Sequence, residues 1–413
     1  MKFVANTIGR ARIKEPRRCP VCQASSVQLL WRQSFWALDG IGLLDGYDVV
    51  VCQVCGMTFA DHIPPQIVFD EYYRELSKYA YEHRGGKESA ADEDRLRQAA
   101  KSISRFLPDF CTRVLEIGCA TGKLLAFLRE AGYENVFGLD PSPGCADGAK
   151  RLYGIRVLTG TVFELPEPDQ SYDFLILLAV LEHIRDVDRA VEALSVLLSH
   201  SGRIYIEVPD ASSLIADQDA PFQEFSTEHI NFFSPTSLQY VMEAGGFRTL
   251  ECGSEVRPGL RKPEHFAYGI FERSSSRRTT FPHHAEAEGG LVSYIKNCQQ
   301  MDAALRERVE AIGRANEGIV VWGVGTHTQR LLATGALNPA SVVAFVDSNP
   351  KYQNHRLAGI PIIRPEALNH RPEPILISSY AFQEEIEDQI HRMKLPNKRI
   401  LLYTNSAVTN AKV

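Results

Sequence analysis

At 413 residues the chain is too long for one ordinary core and calls for roughly two or three domains. Apolar residues at 44% and charged residues at 23% exclude a large disordered region, and a formal net charge of -6 with a pI of about 6.1 argues against general nucleic-acid binding, which leaves a strongly basic footprint. The longest apolar run, "FLILLAVL", falls short of the ~20 residues of a membrane span, and the basic N-terminal segment lacks the apolar centre of a signal peptide, so a cytoplasmic protein without a membrane partner is expected.

Four of the nine cysteines stand in two pairs, Cys19/Cys22 in "CPVC" and Cys52/Cys55 in "CQVCG". Two C-x-x-C knuckles supply four thiolates in the arrangement that tetrahedral Zn2+ accepts, and the glycine after the second knuckle suits a tight turn. A closed shell of four thiolates has no open position, so the expected metal is structural. The competing reading is a pair of disulfides or redox-active dithiols, for which a cytosolic chain without a βαβ context around either knuckle gives little support. Cys111, Cys119, Cys145, Cys252 and Cys298 read as small buried apolar residues.

Next come a Tyr-rich amphipathic stretch, "FDEYYRELSKYAYEH", and a charged helical segment, "KESAADEDRLRQAAKSISRFL". From residue 113 short apolar runs alternate with helical patterns, the signature of a parallel α/β sheet. Strands are predicted at "RVLEIGC", "NVFGLD", "IRVLTG", "YDFLILLAV" and "GRIYIEVPD"; "FRTLECGSEV" and "HFAYGIFER" follow without a helix between them and read as an antiparallel pair closing the sheet. Residues 274–290 are polar and aperiodic and read as a linker, with His283 and His284 as solvated loop residues. A helix then leads to a second α/β unit with strands at "GIVVWGVG", "SVVAFVDSN", "EPILISSYAF" and "KRILLYT".

"VLEIGCATGKLL" is a strand running into a small-residue turn that opens a helix, a geometry that lets backbone N–H groups approach a ligand. Asp140 ends the next strand about 20 residues on, the distance at which an acidic residue takes ribose hydroxyls. Glu116, Gly118 and Gly122, the Asp140 strand end and "YDFLILLAVLEHI" together resemble class I S-adenosylmethionine-dependent methyltransferases. The resemblance implies that the glycine loop passes under the methionine and ribose of the cofactor, with Ala120 replacing the usual middle glycine, and that Asp140 holds the ribose. Thr161 stands where many members place an adenine-binding Asp, so backbone at Val162 and cover from Phe163 are expected instead, with Ala179 after the fourth strand also at the cofactor. A dinucleotide is the alternative ligand for such a loop.

"EFSTEHINFFSP" and "LEHIRDV" follow the fifth and fourth strands, at the sheet edge where ligands of doubly wound folds collect. His183, Glu228 and His229 are therefore candidates to meet an acceptor, with an imidazole as proton acceptor; a polar pair that braces the loop is the alternative. Zinc module, methyltransferase core, Glu-His-x-x-x-Phe-Ser and a second Rossmann-like unit, in this order, are similar to the nucleotide-sugar C-methyltransferases of deoxysugar pathways. That resemblance implies His229 as base beside Glu228, His183 in the active site, Tyr79 or Tyr81 as a further site tyrosine, and a nucleotide sugar between the middle and C-terminal domains. Ser226 stands where the family has an enolate-stabilising Tyr, so methylation at carbon and at oxygen both stay open. The expected organisation is a zinc-binding module over 1–75, the methyltransferase domain over 76–273, and a linker helix with the Rossmann-like domain over 274–413. In the second unit Gly323, Gly325 and Asp347 repeat the loop-and-acid pattern without the third glycine, which suits either a nucleotide or packing alone. A non-catalytic scaffold that uses its zinc ribbon for partner contact is the rival reading. The oligomeric state is not legible.

Overall fold

The computed structural model describes residues 14–77, 87–164, 171–216, 220–259 and 262–403. Near the N-terminus β1 (Val27–Ser34) and β2 (Gly46–Cys52) pair antiparallel, and β3 (Thr58–Asp61) adds to β2. The run of β-branched valines in β2 is buried throughout, because the sheet is covered on both faces. Two helices follow: α1 (Gln66–Leu76), and α2 (Ala90–Ser104), whose start is capped by Ser89 accepting from the Asp92 N–H.

The central sheet holds β4 (Val114–Ile117), β5 (Val136–Asp140), β6 (Arg156–Thr159), β7 (Tyr172–Leu178) and β8 (Leu198–Pro209), all parallel, with α3 (Lys123–Glu130), α4 (Pro143–Tyr153) and α5 (Val187–Leu197) as crossovers. After β8 the chain forms β9 (Asn231–Phe232) and α6 (Pro235–Ala244), then β10 (Phe247–Arg257) and β11 (Glu264–Arg273). The strand order is β10-β11-β8-β7-β4-β5-β6, with β11 antiparallel to β8, so the five parallel strands closed by an antiparallel pair stand as the apolar runs indicated.

Strand β9 does not join that sheet. It pairs with β3, Thr58 opposite Phe232 and Phe59 opposite Asn231, so the segment just past His229 completes the four-stranded N-terminal sheet and crosses the boundary expected near residue 75. Arg17 locks this junction. Its buried guanidinium donates to the carbonyls of Ala60, Ile230 and Arg185 and to Asn231 Oδ1, at 2.6–3.1 Å.

Helix α7 (Glu286–Ala315) runs from one core to another. Its first turns bury Leu291, Tyr294 and Cys298 against Phe225 and Phe232, and its last turns bury Leu305 and Val309 in the C-terminal core. The C-terminal sheet is built from β12 (Ile319–Trp322), β13 (Val342–Val346), β14 (Arg356–Leu357), β15 (Ile360–Ile363), β16 (Ile375–Ile377) and β17 (Arg399–Leu401), with α8 (Thr326–Ala333) and α9 (Gln383–Arg392), in the order β14-β15-β13-β12-β16-β17. The short β14–β15 hairpin was not among the expected strands: a two-residue arm and Pro361 in its mate leave no alternation to read.

Two packing expectations are corrected. Cys111 is exposed, because it sits in the polar Asp109–Thr112 turn before β4. His284 is not a solvated loop residue: its ring packs edge-on against Tyr240 at 5.4 Å, its backbone N–H donates to the Cys55 carbonyl at 3.4 Å, and burial lowers its pKa. Among the described residues no helix is long and apolar enough to cross a membrane.

Candidate functional site

The loop between β4 and α3 bends through three left-handed residues, Gly118 (φ +70°), Ala120 (φ +46°) and Gly122 (φ +75°). A Cβ at Gly118 would meet Val180 at 2.6 Å, so glycine is required there by space as well as conformation. The carboxylate of Asp140 braces the loop from the next strand: Oδ2 accepts from Ala120 N–H and Oδ1 from Ser142 N–H, each at 2.9 Å. Glu116 is 4% exposed and its Oε2 has no hydrogen-bond partner. Burial, aided by the charge of Asp140, pushes its carboxyl well above the usual range, and burial raises Asp140 as well. A buried carboxyl with one oxygen unpartnered beside a loop of backbone N–H groups fits a ligand that brings positive charge and hydroxyls. Val162 is buried and Phe163 half-buried beside the same cavity, whose volume is about 400 Å³, and Ala179 (φ +55°) lines it from the end of β7.

His183 and His229 enter this cavity from the far side. His183 ends the single 3-10 turn Leu181–His183 after β7, and His229 precedes β9; their ring centroids are 5.0 Å apart. The main chain holds them together, for Ile230 N–H donates to the Glu182 carbonyl and His183 Nδ1 lies 3.0 Å from the Glu228 carbonyl. Ser226 Oγ accepts from the N–H groups of Glu228 and His229 and shapes the turn that presents them. The carboxylate paired with the imidazole of His229 is that of Glu224, 3.9 Å from Nδ1, whereas Glu228 directs Oε1 to Tyr72 Oη at 3.4 Å.

Tyr79 and Tyr81 lie outside the described residues. Among the described residues, α1 brings tyrosines to this site: Tyr73 packs edge-on against His183 at 5.8 Å, and Tyr72 donates to Glu228. Neither they nor Glu224 was singled out from sequence, although the Tyr-rich stretch and the opening residue of "EFSTEHINFFSP" were the available signals. Glu88 is a further residue missed: it accepts from Thr121 in the glycine loop and from Tyr153.

A second cavity of about 720 Å³ meets the first at Gly118, Ala120 and Ala179 and extends to the C-terminal loop, where Gly323, Gly325 and Asp347 line it. That loop repeats the architecture of the first, with Asp347 Oδ2 accepting from Val324 N–H and Oδ1 from Asn349 N–H. His327 at its rim is half-buried, 3.2 Å from Tyr403 Oη, and desolvation with the nearby Arg330 lowers its pKa to about 3.

The four sulfurs of Cys19, Cys22, Cys52 and Cys55 lie within 4.8 Å of one another, with Cys19–Cys55 and Cys22–Cys52 at 3.5 Å. Sulfurs on one tetrahedral zinc stand about 3.8 Å apart for Zn–S bonds near 2.3 Å, so the cluster fits that ion. All four are free thiols, and Gly56 turns at φ +83° directly after the second knuckle.

Comparison with known proteins places two family models on the chain. A family model described as "Methyltransferase domain" matches residues 91–251, and one described as "C2185-like, N-terminal" matches residues 315–401. The chain is similar to "C-methyltransferase NovU" of Streptomyces niveus, 26% identical over 83% of this chain and 82% of that protein. It is similar also to "Ubiquinone biosynthesis O-methyltransferase" of Azorhizobium caulinodans, 28% identical over 36% of this chain and 64% of that one. Among solved structures, magnesium protoporphyrin IX methyltransferase from Synechocystis with bound S-adenosylhomocysteine superposes with a TM-score of 0.39 at 16% identity, over 51% of this chain and all of that one.

Proposed function

Taking as premise that residues 91–251 form a class I S-adenosylmethionine-dependent methyltransferase domain and that the chain is a methyltransferase, we propose that its acceptor is a nucleotide-linked sugar, methylated at carbon or oxygen, with His229 as the base. One observation carries the reading: the cavity with the histidines and the glycine loop shares Gly118, Ala120 and Ala179 with a larger one reaching the second glycine loop and Asp347. An acceptor with a reactive sugar at one end and a nucleotide at the other suits such a pair of adjoining cavities. The name of NovU supports carbon as the acceptor atom.

S-adenosylmethionine supplies an electrophilic sulfonium methyl group that is displaced in line. The residues of this chain have three tasks around it. Glu116, Asp140 and the loop N–H groups bind and orient the cofactor. His229 accepts the acceptor's proton as the new bond to the methyl carbon forms and the sulfur–methyl bond breaks, and Glu224 beside Nδ1 steadies the imidazolium. His183 and Tyr73 wall the same space. The four cysteines would hold a structural zinc, closed to substrate.

The test is incubation of the purified protein with S-adenosylmethionine and a panel of nucleotide sugars, following mass gain of one methylene. Methylation of free sugars or of non-sugar phenols in preference to every nucleotide sugar would sink the proposal.

A further inference from the structure

We infer that Glu182, His183 and His229 form a binding site for a first-row divalent transition-metal ion, separate from the four-cysteine cluster. One ligand atom from each lies within 4.8 Å of the others, and His183 Nε2 is 3.8 Å from Glu182 Oε1. Nitrogen and oxygen ligands bind such ions at about 2.0–2.2 Å, which sets them roughly 3.4 Å apart, so closing the set on an ion needs side-chain shifts of about 1 Å. The set is two imidazoles and one carboxylate, a donor combination that takes zinc, cobalt, nickel or iron in preference to magnesium or calcium.

What lies behind the ligands matches a metal site as well. A ligating imidazole is held by a carbonyl or carboxylate on its other nitrogen, which fixes the tautomer and the ring plane. His183 Nδ1 is 3.0 Å from the Glu228 carbonyl, and donation there makes Nε2, the nitrogen facing Glu182, the lone-pair atom. His229 Nδ1 has Glu224 Oε2 at 3.9 Å. The Ile230 N–H to Glu182 carbonyl bond pins the two contributing segments to each other, and Glu182 is 2% exposed. Three protein ligands leave at least one open position, and all three residues line the cavity of about 400 Å³ that contains the glycine loop.

The site stands whether or not His229 is the base, but if it is, the two functions compete, since an imidazole lone pair given to a metal cannot take a proton. The chemistry therefore makes methylation sensitive to free divalent metal.

The experiment uses the full chain with its cysteine cluster loaded with zinc, titrated with Co2+. The expected result is one further equivalent, with the weak visible bands of cobalt in nitrogen and oxygen surroundings and no strong thiolate charge-transfer absorption. Glu182→Gln and His183→Ala should each weaken this equivalent at least about tenfold, and Glu224→Gln, which acts through His229, by about 10–100-fold. Unchanged circular dichroism and melting temperature would show that the variants remain folded. The inference is overturned by the lack of a saturable second equivalent, or by undiminished cobalt binding in folded Glu182→Gln and His183→Ala. If cobalt binds as expected while turnover stays unchanged at saturation, the metal site stands and the base is not His229. If no cobalt binds while His229→Ala loses turnover, the base stands and the metal site does not.

Discussion

Binding of S-adenosylmethionine should release a proton, and Glu116 should be its source. In the ligand-free protein this carboxyl is buried, Oε2 has no partner, and both burial and the neighbouring Asp140 hold it well above the usual carboxylate range. A cofactor with a sulfonium and an ammonium brings net positive charge to the loop above it, which favours the ionised form. Between the bound and free titration ranges, affinity must therefore rise with pH. The limiting slope is tenfold per unit, about 1.4 kcal/mol for one proton. Calorimetric titration in buffers of different ionisation enthalpy reads the number released directly, between zero and one. Glu116→Gln should remove most of the release and, at high pH, lose the about 1.5–3 kcal/mol of a charge-assisted hydrogen bond, some ten- to a hundredfold in affinity. The stability of the free protein follows the opposite sign. A carboxyl raised in the folded state contributes stability that is fully present below its unfolded pKa and lost as pH rises through the folded value, so the Gln variant should melt higher than wild type at pH 8, with the gap closing toward pH 4. Asp140 is raised too, and the two carboxyls share the titration, so Asp140→Asn should reduce the release rather than leave it whole. Heats that do not depend on buffer, together with pH-independent affinity, would refute the reasoning.

Other perturbations separate the remaining roles. Asp140→Ala removes two backbone braces as well as the acid, and cofactor affinity should fall roughly ten- to a hundredfold by calorimetry, with unchanged affinity excluding this register of the loop. His229→Ala should bind cofactor normally yet lose about 10²–10⁴ in turnover, and near-normal rates at every pH would shift the search for the base to His183. Cys52→Ser should release zinc and lower the melting temperature while sparing the chemical step of the folded fraction; metal analysis that finds no zinc in wild type purified without chelator would remove the premise. Arg17→Met removes a donor from three carbonyls and an amide oxygen, of which the Ile230 carbonyl keeps the Ala60 N–H, and should cost about 1–3 kcal/mol in denaturant unfolding, so a loss below about 0.5 kcal/mol would mean that the junction with β9 holds without it.

Much of this molecule is written in short-range pattern. The two C-x-x-C knuckles, the small-residue turn between an apolar strand and a helix, and the Asp at the end of the following strand depend on spacings that backbone geometry alone imposes, so they were legible without coordinates. The parallel strands and their antiparallel closure were legible too, because burial on both faces gives continuous apolar runs and the missing crossover helix signals a reversal. What the sequence left open depends on contacts between distant segments. Period and spacing do not show that Asn231–Phe232 leaves its own sheet for that of Thr58–Asp61, or that Arg17 reaches three carbonyls to hold it there. Nor do they show that Glu224, five residues before His229, faces its ring while adjacent Glu228 turns to Tyr72. In a strand or helix the period fixes where a side chain points; in the turn that carries these residues, direction is set by Ser226 hydrogen bonds and by the packing of α1 and α7 around it, and only the folded chain brings those together.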